Sequence, residues 1–402
     1  MRILNRNFDG SEFFLYCISI YVLILLNQHF NIPLKIAPFV LLIIGIAICL
    51  PSHDRLNAIA EARSNQLVLI AMIVFALVLC GTTIAKSSDT RELATAFLGP
   101  TALGILSGLR VTPSKALGVL SKAGVAALLF LAATDVLHYG RDLWLHGELP
   151  RDYSHRWFGD GYLFFLPWVL LARDCTQSRR NRWQLTCLIA VVFFLVAGVG
   201  SRGVWIAMVA EIVLMGLVLR RYAYLRDLGL FAIMLILGAI TFSPEVTGSA
   251  FGRGLSDNQR ALGMWEPGLD LIRQSPWFGH GFGRQAWDTA YYSALPSHPE
   301  WTVRMPFGGP HNLALQISFA GGLCELAAAL ALLATILYSL WLSLDSSIEV
   351  RQMAVAVLAA LLGFYLLRGL VEDPRWEPLG LVLMWTIILQ RASADPRSSW
   401  HH

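Results

Sequence analysis

Charge is scarce in this sequence: only 14% of its 402 residues are Asp, Glu, Lys or Arg. A soluble domain carries about 25%, so this chain lacks the ions to cover a globular surface in water. Cysteine is sparse as well, with six in all. Cys17, Cys49, Cys187 and Cys324 fall inside apolar stretches and Cys175 lies at the end of one. No pair has disulfide-framework or metal-ligand spacing, which excludes a stapled secreted domain and a zinc module. An internal repeat and a low-complexity tract are also missing. The net charge of +4 is spread over short basic connections, so nucleic acid is not an expected partner.

What the chain has instead is long apolar runs. Hydrophobic residues make up 56% of it, and stretches such as Phe13–Leu26, Ile36–Leu50, Leu67–Cys80 and Gly118–Ala133 are continuous blocks. Roughly twenty such residues cross about 30 Å of hydrocarbon. The first block has no small-residue cleavage site after it and reads as a span, not a removable leader. The fold class expected is an all-α polytopic membrane protein, a bundle of about twelve transmembrane helices. Spans are expected near 11–28, 34–50, 66–82, 92–109, 115–137, 160–172, 183–199, 203–219, 227–243, 311–343, 351–369 and 378–390.

Basic residues orient the bundle. Arg2, Arg55, Lys122, Arg173, Arg182, Arg221 and Arg391 all fall on one side, and the short loops opposite are poorer in them. The basic side faces the cytoplasm, which puts both termini there. Spans one to nine then fill 1–242, a long extracytoplasmic loop occupies 243–310, spans ten to twelve take 311–390, and a tail follows at 391–402. A shorter outward loop is expected at 138–159. The long loop contains an expected amphipathic helix, Asp257–Arg273, then turn-forming Gly279, Gly281 and Gly283, and a crowd of aromatics including Trp277, Trp287, Tyr291 and Trp301. Such aromatics form a membrane-interface belt, or else stack on sugars or headgroups.

Three outward residues carry the chemistry. Arg202 sits in Gly198-Val-Gly-Ser-Arg-Gly-Val-Trp205, a tight turn whose glycines let backbone approach a ligand. An arginine at the membrane boundary snorkels or finds an anion. Arg260 lies in Asn258-Gln-Arg-Ala-Leu-Gly-Met-Trp265 just outside the membrane. Two planar guanidinium groups suit a diphosphate. His311 follows Gly308-Gly-Pro310 at the expected start of a long helix. The positive end of the helix disfavours imidazolium there and leaves the ring able to accept a proton. The plain alternative for His311 is a structural hydrogen-bonder. As one straight rod, 311–343 would be about 48 Å long, so it should protrude or bend at Gly321-Gly322.

Weaker candidates surround these. Asn312, Arg284, Arg368 and Glu372 are candidate substrate-binding residues; Glu372-Asp373 beside Arg368 and Arg375 reads first as a local ion-pair cluster. Gly279-His-Gly-Phe-Gly283 has no preceding strand and no following lysine, so it is not a nucleotide fingerprint. A metal site from His280, His298 and His311 is the minor alternative; no metal and no cofactor are expected. Neither outward loop holds a D-x-D pair, which argues against a divalent-metal sugar-nucleotide transferase. Asp135, Glu211 and Glu325, in or near spans, are candidates for a proton relay.

Together these residues resemble the O-antigen ligase family. The motifs are Ser201-Arg-Gly203 with Trp205, Gln259-Arg260 with Trp265, Pro276-Trp-Phe-Gly-His-Gly-Phe-Gly283, and His311-Asn312. In the ligases the His-Asn pair is followed by nine residues, Gly, two more, then Gly, Thr or Tyr. Here the last position is Glu325, a departure that bears on the acceptor. The resemblance implies a metal-independent, inverting glycosyltransferase in the bacterial inner membrane with its active site facing the periplasm. Its partners would be an undecaprenyl-diphosphate-linked glycan donor, a lipid A–core acceptor and membrane lipid. Arg202 and Arg260 would clamp the diphosphate, and His311 would deprotonate, or at least orient, the acceptor hydroxyl. An O-antigen polymerase or a protein O-oligosaccharyltransferase is the nearest alternative. A lipid-linked sugar transporter is the alternative of a different class.

Overall fold

The computed structural model of the protein describes residues 63–88, 90–108, 113–146, 156–242, 264–301, 309–372, 376 and 378–394. Among these residues every regular element is helical. The helices are α1 (Arg63–Ala85), α2 (Gly99–Gly108), α3 (Pro113–His146), α4 (Arg156–Cys175), α5 (Arg179–Val199), α6 (Arg202–Val218) and α7 (Ala223–Thr241). After them come α8 (Glu266–Gln274), α9 (Arg284–Ala294), α10 (Leu313–Ser343), α11 (Ile348–Ala360) and α12 (Leu379–Ala394). A π-helical segment, Leu93–Leu98, leads into α2, and another, Leu361–Leu367, prolongs α11 into a short 3-10 turn at Arg368–Leu370.

Every span expected from residue 66 onward coincides with a helix. The two expected near 11–28 and 34–50 lie outside the described residues. Among the described residues, six helices are long and apolar enough to cross a membrane: α1, α3, α5, α7, α10 and α11 with its extension. Of the others, α6 has 17 residues and α12 has 16, about 25 Å each. The outward loop expected at 138–159 is corrected: α3 continues to His146, so the connection to α4 is much shorter. The prolonged part mixes Leu143, Trp144 and Leu145 with the paired charges of Arg141 and Asp142.

Burial sorts the helices into inner and outer ones. Leu163, Leu166, Val169 and Leu170 on α4, and Val382, Leu383, Ile387 and Leu389 on α12, are fully buried. A helix apolar all round belongs inside a bundle, and Trp168 of α4 meets Trp385 of α12 at a 4.6 Å ring separation. On α1 and α7, Ile70, Leu77, Ile233 and Ile240 stay exposed. These are the faces a lipid would cover. Gly104 and Gly380 bring α2 and α12 so close that a Cβ on either would strike backbone of the other segment, the small-residue contact common between membrane helices.

The hydrogen-bonded ends of successive helices define two ends of the bundle. At one, Arg173 of α4 pairs with Asp227 of α7, and Arg391 of α12 donates to the carbonyl of Gly108. We call this the basic end. At the other lie the α5–α6 turn, the start of α10 and the α8–α9 region; we call it the loop end.

The loop end carries its own small core. Leu271, Trp287, Tyr291, Trp301 and Phe319 are buried against one another, with Tyr291 stacked on Trp301 at 5.3 Å. The reading of these aromatics as a belt or sugar platform is therefore corrected for Trp287, Tyr291 and Trp301, which are packing residues. Trp277 and Phe278 remain 62% exposed, as a belt requires. Within the helix expected over Asp257–Arg273, only the part from Met264 onward is described, and it is helical, α-helical from Glu266.

The long helix bends where Gly321-Gly322 predicts. Gly322 has φ 69° and ψ −162° inside α10, and the backbone groups freed by the break are taken by the loop. Leu323 N–H donates to the Pro276 carbonyl at 2.7 Å. His280 and Gly281 N–H donate to Phe319 and Ala320 at 2.7 and 2.9 Å. The glycine-rich Pro276–Gly283 strip is thus a clamp on the kink. Gly322 must be glycine for two reasons: its φ lies in the left-handed region, and a Cβ would collide with the Trp277 backbone.

Candidate functional site

At the loop end three separated segments meet. Asp160 comes from α4, where flanking glycines thin the helix; Ser201 precedes the first residue of α6; and Arg368 with Glu372 ends the α11 extension. Arg368 is 3% exposed. Its Nε donates to Asp160 Oδ1 at 2.8 Å and its Nη1 to Ser201 Oγ at 3.2 Å. Glu372 Oε1 lies 3.5 Å from Nη1. A buried guanidinium is tolerable only with such partners. Ahead of it, the π-helical turn makes room for the carboxyl of Glu211 at Gly363, where a Cβ would collide with it.

The other carboxylate oxygen of Glu372 reaches the imidazole of His311. Nδ1 and Oε2 are 2.7 Å apart, with the two side chains 23% and 14% exposed. An Nδ1–H donating to a carboxylate fixes the ring's orientation and tautomer and makes Nε2 the proton-accepting nitrogen. His311 does not open the helix as expected. Its φ is +50°, and α10 starts two residues later at Leu313. The carboxylate of Glu372, more than the helix end, is therefore the ring's electrostatic partner. A non-glycine residue in the left-handed region costs about 1–3 kcal/mol and persists where its surroundings hold it.

Asn312 supplies much of that hold. Its Oδ1 accepts from Leu315 N–H at 3.1 Å, capping α10, and its Nδ2 donates to the Leu370 carbonyl at 3.0 Å. The side chain expected to bind substrate ties the start of α10 to the α11 extension. Arg368 likewise sits inside a protein network. Glu372 joins Arg368 to His311.

Arg202 is the first residue of α6, half-buried, one residue from the Ser201 that Arg368 contacts. Gly203 allows this turn to press on the α11 extension: a Cβ there would stand 3.0 Å from Val371 Cγ2. Arg260, Asp373 and Arg375 lie outside the described residues. Arg284 is not brought to the group. Its N–H donates to Glu92 at 3.0 Å, and its side chain, 63% exposed, faces Asp288 at 3.5 Å.

The three histidines occupy separate settings. His280 stacks on Phe319 at 5.0 Å and bonds the Leu271 carbonyl at 2.7 Å. His298 pairs with Glu300 at 2.9 Å. The carboxyls considered for a relay are also separate: Asp135 accepts from Tyr162 at 2.9 Å, Glu211 faces Gly363 and Glu325 folds back on Gly321.

Sequence reasoning missed Asp160 and the bridging position of Glu372. The signal for Asp160 was its charge inside an apolar stretch, which demands a partner.

Beside His311 runs an apolar groove of about 210 Å³. Asn312, Ile317, Leu333, Tyr365, Leu370 and Trp376 help to line it.

Among the described residues the chain is all-helical, with apolar outer faces and several helices long and apolar enough to cross a membrane, and it sets an imidazole–carboxylate pair near an apolar groove. Residues 185–324 match the family model described as O-Antigen ligase. A curated O-antigen ligase of Salmonella typhimurium (strain LT2) is 27% identical over 250 residues, 59% of this chain and 60% of that protein. The aligned part thus spans about three fifths of the relative's length. The resemblance read from the motifs therefore holds over the central segment, which includes Arg202 and His311. Asp160, Arg368 and Glu372 fall outside the part matched by the family model.

Proposed function

We propose that this protein is an O-antigen ligase, moving a glycan from undecaprenyl diphosphate to lipid A–core oligosaccharide at the periplasmic face of the bacterial inner membrane. The observation that carries the reading is the His311–Glu372 pair at 2.7 Å, held by Arg368 at the edge of an apolar groove. In this reading Nε2 of His311 takes the proton of the acceptor hydroxyl as its oxygen attacks the anomeric carbon. The bond from that carbon to the diphosphate oxygen breaks, and the diphosphate leaves with the electron pair. Glu372 stabilises the imidazolium that forms, in the manner of the third member of a hydrolytic triad.

Arg202, together with Arg260, binds the leaving diphosphate and spreads its growing charge. The groove takes the isoprenoid chain, which is as apolar as its lining. Attack opposite the leaving group inverts the anomeric centre. The donor is already activated by its phosphate bond, so the reaction asks for no nucleotide.

The test is transfer by the purified protein from a lipid-linked glycan to each of three acceptors: lipid A–core, a second glycan repeat and a protein. Product on lipid A–core alone is expected. Product on a repeat or a protein reassigns the acceptor, and glycan movement across vesicles with no new glycosidic bond would overturn the enzymatic reading.

A further inference from the structure

The basic end holds a second site, distant from His311. A cleft of about 960 Å³ opens between the starts of α5 and α7. Its floor is the buried pair of Arg173 and Asp227, joined through two bonds, the longer at 2.8 Å. Asp174 is engaged as well, 3.2 Å from Arg221 and 3.4 Å from Arg173. Both aspartates of the lining are thus neutralised by arginines of the lining. Arg179, Arg182 and Arg226 also face the cleft, and none has an acidic partner among the described residues.

Two further features single the cleft out from ordinary basic loops. The first turn of the 21-residue α5 has no acidic residue, yet it carries Arg179 and Arg182 of the lining. Cations at this end oppose the helix dipole. An anion in the cleft reverses the sign of that term. The second feature is the rim. Trp183 and Tyr222 line the cleft and are 64% and 87% exposed. Large aromatics exposed at a bundle's end sit at headgroup level, so the cleft opens where lipid phosphates lie.

We propose that this cleft binds an anionic phospholipid by its phosphates, best a lipid with two phosphodiesters, from the leaflet at the basic end. Guanidinium groups meet phosphate oxygens in bidentate fashion, and basic pockets between membrane helices are fitted to such headgroups. Three uncompensated arginines exceed the charge of a single phosphodiester, which is why a two-phosphate headgroup matches best. The site is independent of the transfer reaction proposed above.

The full-length protein in detergent tests this with four additives: cardiolipin, phosphatidylglycerol, phosphatidylcholine and inorganic pyrophosphate. The readouts are retained lipid by native mass spectrometry and the thermal midpoint. Cardiolipin should be retained and should raise the midpoint most, with phosphatidylcholine inert. The triple variant Arg179→Gln/Arg182→Gln/Arg226→Gln, which spares the floor, should lose roughly tenfold or more in affinity. Arg180→Gln, outside the lining, should match the wild type. Should the triple variant not fold, Arg226→Gln alone decides, a weaker retention being expected. Equal retention by wild type and variant overturns the proposal, as does equal stabilisation by phosphatidylcholine. A response to pyrophosphate matching that to cardiolipin assigns the cleft to a soluble phosphate and overturns the lipid.

Discussion

Arg368 and Asp160 are 208 positions apart in the chain and 2.8 Å apart in space, both almost wholly buried. This ion pair locks α4 to the end of α11, and through Glu372 it fixes where the imidazole of His311 stands. Removing one partner of a buried pair leaves an uncompensated charge, which costs about 3–5 kcal/mol. Asp160→Ala should therefore destabilise the protein by about 3 kcal/mol or more and depress transfer. Asp160→Asn, which keeps an acceptor, should cost less. Unfolding curves in detergent measure this; wild-type stability for Asp160→Ala would show that Arg368 has support elsewhere.

The kink of α10 offers a test of backbone geometry. Gly322→Ala puts a Cβ on a left-handed residue and against the Trp277 backbone. The expected loss is about 2–3 kcal/mol, with faster proteolysis in 264–301 as the Pro276–Gly283 clamp loosens. Unchanged proteolysis would mean that the loop docks by its small aromatic core alone.

The same clamp should respond to acid. Burial pushes the pKa of His280 below its ordinary value of 6.5; the bond to the Leu271 carbonyl opposes this, and the charge of Lys86 adds to it. With the folded value depressed, the stabilising contribution is complete above about pH 6.5. It declines as pH falls from there through the folded value, because the unfolded chain takes the proton first. Once exchange rates are corrected for their own pH dependence, protection in the Ser275–Gly283 strip should weaken as pH falls below about 6.5. His280→Gln, which can still donate to Leu271, should flatten that dependence. An equally steep response in the variant would place the titrating group elsewhere.

How far the sequence reached follows from the kind of signal each residue emits. The spans were readable because an apolar run of span length has few other uses, and the bend at Gly322 because 311–343 is too long for the hydrocarbon. His311 and Arg202 stood out as polar groups at span ends flanked by glycine. The aromatics of the loop misled, since Trp287, Tyr291 and Trp301 look alike in sequence whether they face lipid or form a core. Asp160 was passed over because its partner is so remote in the chain. Asn312 is a candidate substrate-binding residue in the sequence, and Arg368 reads first as part of an ion-pair cluster. Their hydrogen bonds hold the start of α10 and Glu372 in place, a supporting arrangement that needs coordinates to see.

In the proposed mechanism His311 and Glu372 act as one unit in transfer. The direct measurement is a double-mutant cycle on the transfer rate of the purified protein with a lipid-linked glycan and lipid A–core. His311→Ala should lower the rate by about 10²–10⁴ with an unchanged thermal midpoint. Glu372→Gln should lower it by about tenfold or more, and the double variant should be no slower than His311→Ala alone. A His311→Ala protein that transfers at the wild-type rate, or losses that simply multiply in the double variant, would contradict it.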